Sequence, residues 1–180
     1  MADRRAGSGT LIRTAAVAGL AALMLACSPQ STAEPASSAT DPVQATGEAV
    51  HPVSGLEVID LQVISGDETH DFRVELAQSS AEQARGLMFR TEMGPDEGML
   101  FPSKAPDRRS FWMKNTPMSL DIIFIGTDGR ITNIAANTEP YSLTPSVSTG
   151  FAIAVLELVG GRAAELGIEP GDQVVWTIEE

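Results

Sequence analysis

Phe111-Trp112-Met113-Lys114-Asn115-Thr116-Pro117-Met118-Ser119-Leu120-Asp121-Ile122-Ile123-Phe124-Ile125 is the stretch from which the fold is read. From Leu120 to Ile125 every residue except Asp121 is apolar, so both faces of this run need cover, as in a central strand of a sheet. Thr127-Asp128-Gly129 is a turn signal, and Arg130 to Ala135 returns as a second strand, which makes a hairpin. Upstream of Pro117, strand alternation puts Trp112, Lys114 and Thr116 on one side and Phe111, Met113 and Asn115 on the other.

Working outward from this hairpin, Leu56 to Ile64 and Phe72 to Leu76 alternate as strands around a polar turn, Ser65 to Asp71. That turn carries Asp67, Glu68, His70 and Asp71, a set that can serve as metal ligands but is read as a polar turn. Ser79-Ser80-Ala81-Glu82 is a capping-box signature, and Ala81, Ala84, Leu87 and Met88 fall on one face of the helix it opens. The helix is expected to stop between Gly86 and Arg90. Gly98 to Pro102 reads as a short strand or loop, and Asn137 to Gly150 as a long loop of the kind that forms a lid or binding loop.

Phe151 to Leu158 reads as a strand with Glu157 on the face of Phe151, Ile153 and Val155. Gly161 to Leu166 gives a short helix ended by Gly167, and Gln173 to Ile178 the last strand. The fold class is α+β and β-rich: a single compact domain of mostly antiparallel strands with two short helices, with a partly closed barrel as one form it can take.

The amino terminus carries a different signal. Arg4, Arg5 and Arg13 flank a short apolar run ending at Ala26, too short to span a bilayer and suited to a signal peptide. Met24-Leu25-Ala26-Cys27 then resembles a bacterial lipobox, in which the cysteine is lipidated and becomes the first residue. Cys27 is the one cysteine of the chain, so no disulfide framework forms within it. Ser28 to about Pro52 is rich in Ser, Thr, Ala and Pro without periodicity and reads as a tether. The organisation expected is a signal peptide over 1–26, a lipidated terminus and tether over 27–54, and a folded domain over 55–180. This places the protein outside the cytoplasm, anchored by lipid and facing the periplasm, with the outer membrane favoured by Ser28.

The chain has 12 basic and 24 acidic residues. Removal of residues 1–26 takes away Arg4, Arg5, Arg13 and Asp3, which leaves 9 basic and 23 acidic residues and a formal charge of −14. A surface so acidic repels nucleic acid and anionic headgroups. Within it, Arg85, Arg90, Lys104, Arg108, Arg109 and Lys114 fall close together in sequence. They read either as local charge balance or as a cationic pocket for a carboxylate, phosphate or acidic sugar. Met88, Met93, Met99, Met113 and Met118 are read as core residues rather than soft-metal ligands. Ser110 or Ser119 beside Lys114 lacks the elbow motif of a Ser-Lys hydrolase.

Taken in order, Arg85-Gly86-Leu87-Met88-Phe89-Arg90, Gly98-Met99-Leu100-Phe101, Phe111-Trp112-Met113-Lys114-Asn115-Thr116, Leu120-Asp121-Ile122-Ile123-Phe124-Ile125 and Val155-Leu156-Glu157-Leu158 through Gly171-Asp172 resemble domain of unknown function 192. The resemblance runs over about Leu56 to Ile178. It implies a compact β-rich domain, often carried behind a signal sequence, and implies no activity. The candidate pocket residues are Arg85, Met88, Trp112, Lys114, Asn115, Asp121 and Glu157, with no metal and no cofactor expected. The leading function is an envelope-anchored accessory or ligand-binding lipoprotein that takes a small anionic or saccharide ligand. The alternative is a small hydrolase or lyase acting on an envelope glycan, with Asp121 and Glu157 as acid and base.

Overall fold

The computed structural model describes residues 49–178. The signal segment, Cys27 and most of the tether lie outside the described residues. The sheet already takes in Ala49–Val50, within the stretch read as tether: this two-residue β1 pairs with β2, Glu57–Ser65. β2 turns through Gly66 and Asp67 into β3, Glu68–Leu76, and the two form a long antiparallel hairpin. Outward residues of this hairpin are Asp60, Gln62, Asp71 and Arg73, while Leu61, Val63, Phe72 and Val74 are buried. The alternation in sequence is therefore the alternation of burial.

The capping box is formed. Ser79 accepts from the Glu82 amide, and the Glu82 carboxylate accepts from the Ser79 amide, opening α1, Ser80–Arg85. Gly86, at φ +47°, ends it and turns the chain over the Phe101 ring. This crossover makes β4, Glu97–Asp107, parallel to β3; the other strand pairs of the sheet are antiparallel. β4 is longer than the short strand expected, because it runs on beyond Pro102 through Pro106 to Asp107. Its ladder with β9 lapses between Pro102 and Asp107, which spares Pro106 from donating.

β5 is only Ser110–Phe111, and pairs with β8, Ser146–Val147, inside the long loop. The strand expected through Asn115 is therefore cut short. Asn115 sits at φ +56° and the Thr116 amide bonds the Met113 carbonyl, so Trp112 to Thr116 is a turn. β6, Leu120–Gly126, is buried at every position, as a central strand should be, and pairs with β7, Ile131–Ala135, and with β9, Ala152–Val159. α2, Arg162–Glu165, and β10, Gln173–Trp176, complete the chain.

The eight-stranded sheet runs β1-β2-β3-β4-β9-β6-β7, with β10 added on β2. β10 and the turn before it meet the β6–β7 turn through an isolated bridge, Arg130 to Gln173, and backbone bonds such as Val174 to Gly129 and Ile131 to Asp172. No continuous ladder forms there, so the sheet curls but is not closed into a barrel. One core fills the face that holds Leu61, Phe72, Leu100, Ile123, Ile125, Leu156 and Leu158. A second lies on the opposite face of the central strands, around Met99, Phe101, Met113, Ile122, Phe124 and Val155, under α1 and the 111–118 segment. The candidate site belongs to this second layer.

Candidate functional site

Ladder register decides which carboxylates can meet. Glu75 of β3 pairs with Met99, Met99 with Glu157, and Glu157 with Ile122, so these four side chains share the face of the second core. Asp121 pairs with Leu158, one step along, and so points to the other face. The expectation that Asp121 and Glu157 line one pocket is corrected by this parity. Alternation within β9 fails too: Ile153 is bulged out between Ala152 and Ala154 and packs in the first core rather than beside Glu157.

Asp121 is fully buried and fully engaged. Its Oδ1 accepts from the amides of Asn137 (2.8 Å) and Gly161 (3.0 Å), and its Oδ2 from that of Ala163 (2.9 Å). It ties the end of β7 and the start of α2 to the sheet, a structural task that leaves no lone carboxylate for chemistry.

Glu157 is the opposite case. It is 4% exposed, and no hydrogen bond or ion pair among the described residues reaches its carboxyl group. Among the described residues the one sealed side-chain polar atom without a partner is His70 Nε2. The Glu157 oxygens, also without partners, therefore touch open space, and that space is a pocket of about 400 Å³. Burial pushes the Glu157 carboxyl up to about 8, so at neutral pH it is mostly protonated. The close approach of β4 at this point depends on Gly98, where a Cβ would stand 2.6 Å from the Glu157 carbonyl oxygen.

The pocket walls come from elements that overlie the sheet. Leu87 and Met88 follow α1, Phe101 comes from β4 and Phe111 from β5. Phe101 and Phe111 pack edge to face, their centroids 5.0 Å apart. Three cations line the rim: Arg85, Arg109 and Lys114. Lys114 lies over the exposed Trp112 ring at 5.2 Å, which fixes both at the mouth. Arg109 is half-buried, lies 5.3 Å over Phe111 and donates to Gln83 Oε1 and Ser103 Oγ. Burial lowers its pKa, opposed by Asp107.

Arg85 and Lys114 are exposed, and neither has an ion-pair partner among the described residues. Backbone bonds clamp the Trp112–Thr116 turn: Phe89 donates to the Asn115 carbonyl, Tyr141 to Thr116, and Met113 to Ser142. Phe89 (φ +66°), Asn115 and Tyr141 (φ +62°) are held left-handed, a cost of order 1–3 kcal/mol each that the clamp maintains.

Of the residues expected at the site, Arg85, Met88, Trp112, Lys114 and Glu157 line this pocket. Asp121 does not, for the reason above. Asn115 does not either; it supports the rim, with its amide 3.7 Å from Met88 Sδ. Sequence reasoning had Arg109 among the clustered cations without placing it at the pocket, and missed Gln83 and Thr116.

It also missed a second buried acid. Glu75 is 3% exposed and is met by Nη2 of Arg90 at 2.8 and 3.0 Å, with His51 Nδ1 at 3.6 Å. The available signal was the local pattern. Val74-Glu75-Leu76 sets an acid between apolar residues as Leu156-Glu157-Leu158 does. Among the described residues no group of three or more His, Cys, Asp or Glu is placed to hold a metal ion.

Comparison with known proteins gives a family and several solved relatives. The model of DUF192, described as "Uncharacterized ACR", matches residues 61–176. A crystal structure of a protein of unknown function from Novosphingobium aromaticivorans is 56% identical, with a TM-score of 0.71; the match covers 73% of this chain and 94% of that one. A second, from Sinorhizobium meliloti and described as a "putative transcription regulator", is 38% identical with a TM-score of 0.65, covering 67% of this chain and 95% of that one. No curated protein matches.

Proposed function

The chain belongs to the DUF192 family, and we propose that it is an envelope-anchored binding domain whose pocket takes a small molecule bearing a carboxylate or phosphate. One observation carries the reading. Arg85, Arg109 and Lys114 line a pocket whose only acid, Glu157, is mostly neutral at pH 7, so the pocket is strongly cationic on an acidic protein. Cations that lack carboxylate partners of their own are free to take an anion from solution. Trp112 at the mouth offers a flat apolar face to the rest of the ligand, a saccharide ring included.

The lipobox-like Met24-Leu25-Ala26-Cys27 supports the anchor at Cys27 and an outward-facing location. Glycan hydrolysis by an Asp121–Glu157 pair is not proposed, since the two side chains leave opposite faces of the sheet. The description of the Sinorhizobium protein is not carried over, because a mature charge of −14 opposes binding to nucleic acid.

Two measurements test the proposal. Titration of the chain with acetate, glucuronate and phosphate should show saturable binding that Lys114→Ala weakens at least about tenfold, the scale of one charge-assisted contact. Absence of saturable binding to all three would sink the pocket reading. Intact mass of membrane-extracted protein should show a diacyl or triacyl adduct on Cys27; a free thiol there, on a chain starting elsewhere, would remove the anchor.

A further inference from the structure

The pocket joins a buried acid and three cations. Glu157 comes from the sheet, and its ladder neighbours Met99 of β4 and Ile122 of β6 bring no charge to it. The titratable groups that line the pocket with it are Arg85 at the end of α1, Arg109 between β4 and β5, and Lys114 in the turn after β5. None of the three forms an ion pair with Glu157. The acid thus comes from the sheet and the cations from the segments that overlie it, none within ion-pair distance of it, with Leu87, Phe101 and Phe111 among the walls of the same pocket. The same sheet shows how this fold satisfies a buried carboxyl: two strands away in the same row, Glu75 receives the Arg90 guanidinium. At Glu157 the described residues provide no such cation.

We propose that the pocket takes a zwitterionic molecule of the short-peptide class, its ammonium group paired with Glu157 and its carboxylate held by Arg85 and Lys114. The ligand supplies the cation that the protein withholds, and the rim supplies the partners for its other end. This rests on the pocket being a binding site and adds the ligand's second charge. An ammonium brings up to three donors and a full counter-charge to a desolvated carboxylate, whereas a neutral Glu157 has a single O–H to offer a plain anion. The apolar walls, Leu87, Phe101 and Phe111, suit the uncharged middle of such a ligand.

The test uses the full chain and three matched probes: alanyl-alanine, its N-acetyl derivative (anion only) and its amide (cation only). Calorimetric titration is run in two buffers of different ionisation enthalpy. Alanyl-alanine should bind at least about tenfold tighter than either derivative, the difference expected when one charged contact is lost. Its binding at pH 7 should release a proton, because Glu157 ionises on meeting the ammonium.

Affinity should rise from pH 5 to about 8 and fall above it as the peptide amine, with a pKa of about 8, loses its own proton. Glu157→Gln should abolish the preference for alanyl-alanine over the N-acetyl form, while Lys114→Ala should weaken both carboxylate-bearing probes and spare the amide. Equal or tighter binding of the N-acetyl form, without proton release, overturns the zwitterion and leaves the anion pocket standing. Failure of all three probes, and of acetate, glucuronate and phosphate, overturns both.

Discussion

Glu75 and Glu157 stand in one row across the sheet with Met99 between them, and of the two only Glu75 meets a cation among the described residues. Two strand spacings separate them, about 10 Å. Both are almost wholly buried on the same face, so the difference lies in what overlies them. Over Glu75 the chain lays Arg90 and His51, whereas over Glu157 it leaves a pocket. A buried acid with neither a cation nor donors is held uncharged by desolvation, which makes it responsive to whatever enters.

Removing the cation from the paired member of the row exposes its cost. Arg90→Ala leaves Glu75 buried without a counter-charge and should destabilise the fold by roughly 3–5 kcal/mol. Urea denaturation at pH 7 measures this. A loss below about 1 kcal/mol, the range of exposed pairs, would mean that water reaches Glu75 freely.

The rim cations should behave in the opposite way. Arg85 and Lys114 are exposed and outside any ion pair among the described residues, so Arg85→Ala and Lys114→Ala should each shift stability by no more than about 1 kcal/mol. Lys114→Ala loses its contact over Trp112, a cation–π pair worth about 0.5–1 kcal/mol at an exposed site. Unfolding curves for the two variants check this. A loss of several kcal/mol in either would make the residue part of the scaffold rather than of the site.

How far the sequence could be read depended on how local each signal was. The Ser79–Glu82 capping box and the wholly apolar Ile122 to Ile125 run are written in consecutive residues, and both are where they were expected. Asp121 and Glu157 looked alike because each interrupts an apolar run. Their facing depends on a pairing, Ile122 against Glu157, that no single segment encodes. A one-residue step in register moves a side chain to the other face, so the shared pocket was a guess about parity. Glu75 was passed over because its own strand alternates cleanly, Phe72, Val74 and Leu76 facing one core. Its other side is covered by residues distant in sequence, Arg90 and His51. Trp112 and Lys114 do meet, but through the turn that Asn115 makes rather than through strand alternation.

Asp121 should show the signature of a structural carboxylate. Asp121→Ala removes the acceptor for three backbone amides, at Asn137, Gly161 and Ala163. Each buried donor left unmade costs about 1–3 kcal/mol, so a loss of at least 3 kcal/mol is expected. Chemical denaturation gives the stability, and titration of the folded fraction should give unchanged affinity for carboxylates. Full stability with lost binding would return Asp121 to the pocket.

Glu157 makes a prediction about pH that needs no ligand. Its folded pKa is raised to about 8, well above the ordinary glutamate range near 4.3 of an unfolded chain. Between these values the unfolded chain has released the proton while the folded chain retains it, so the folded state binds more protons and stability falls as pH rises. The penalty is absent below about pH 4, grows through neutrality and is complete above about pH 8, where it reaches roughly 3–5 kcal/mol. Glu157→Gln carries no titrating proton and keeps the shape of the neutral acid. The variant should match the wild type near pH 4.5 and exceed it increasingly up to pH 9. The difference between their urea unfolding free energies at pH 4.5, 7 and 9 isolates this group from the other carboxylates. A difference that stays constant with pH would mean that Glu157 is solvated or paired when folded, and would remove the neutral acid on which the site is built.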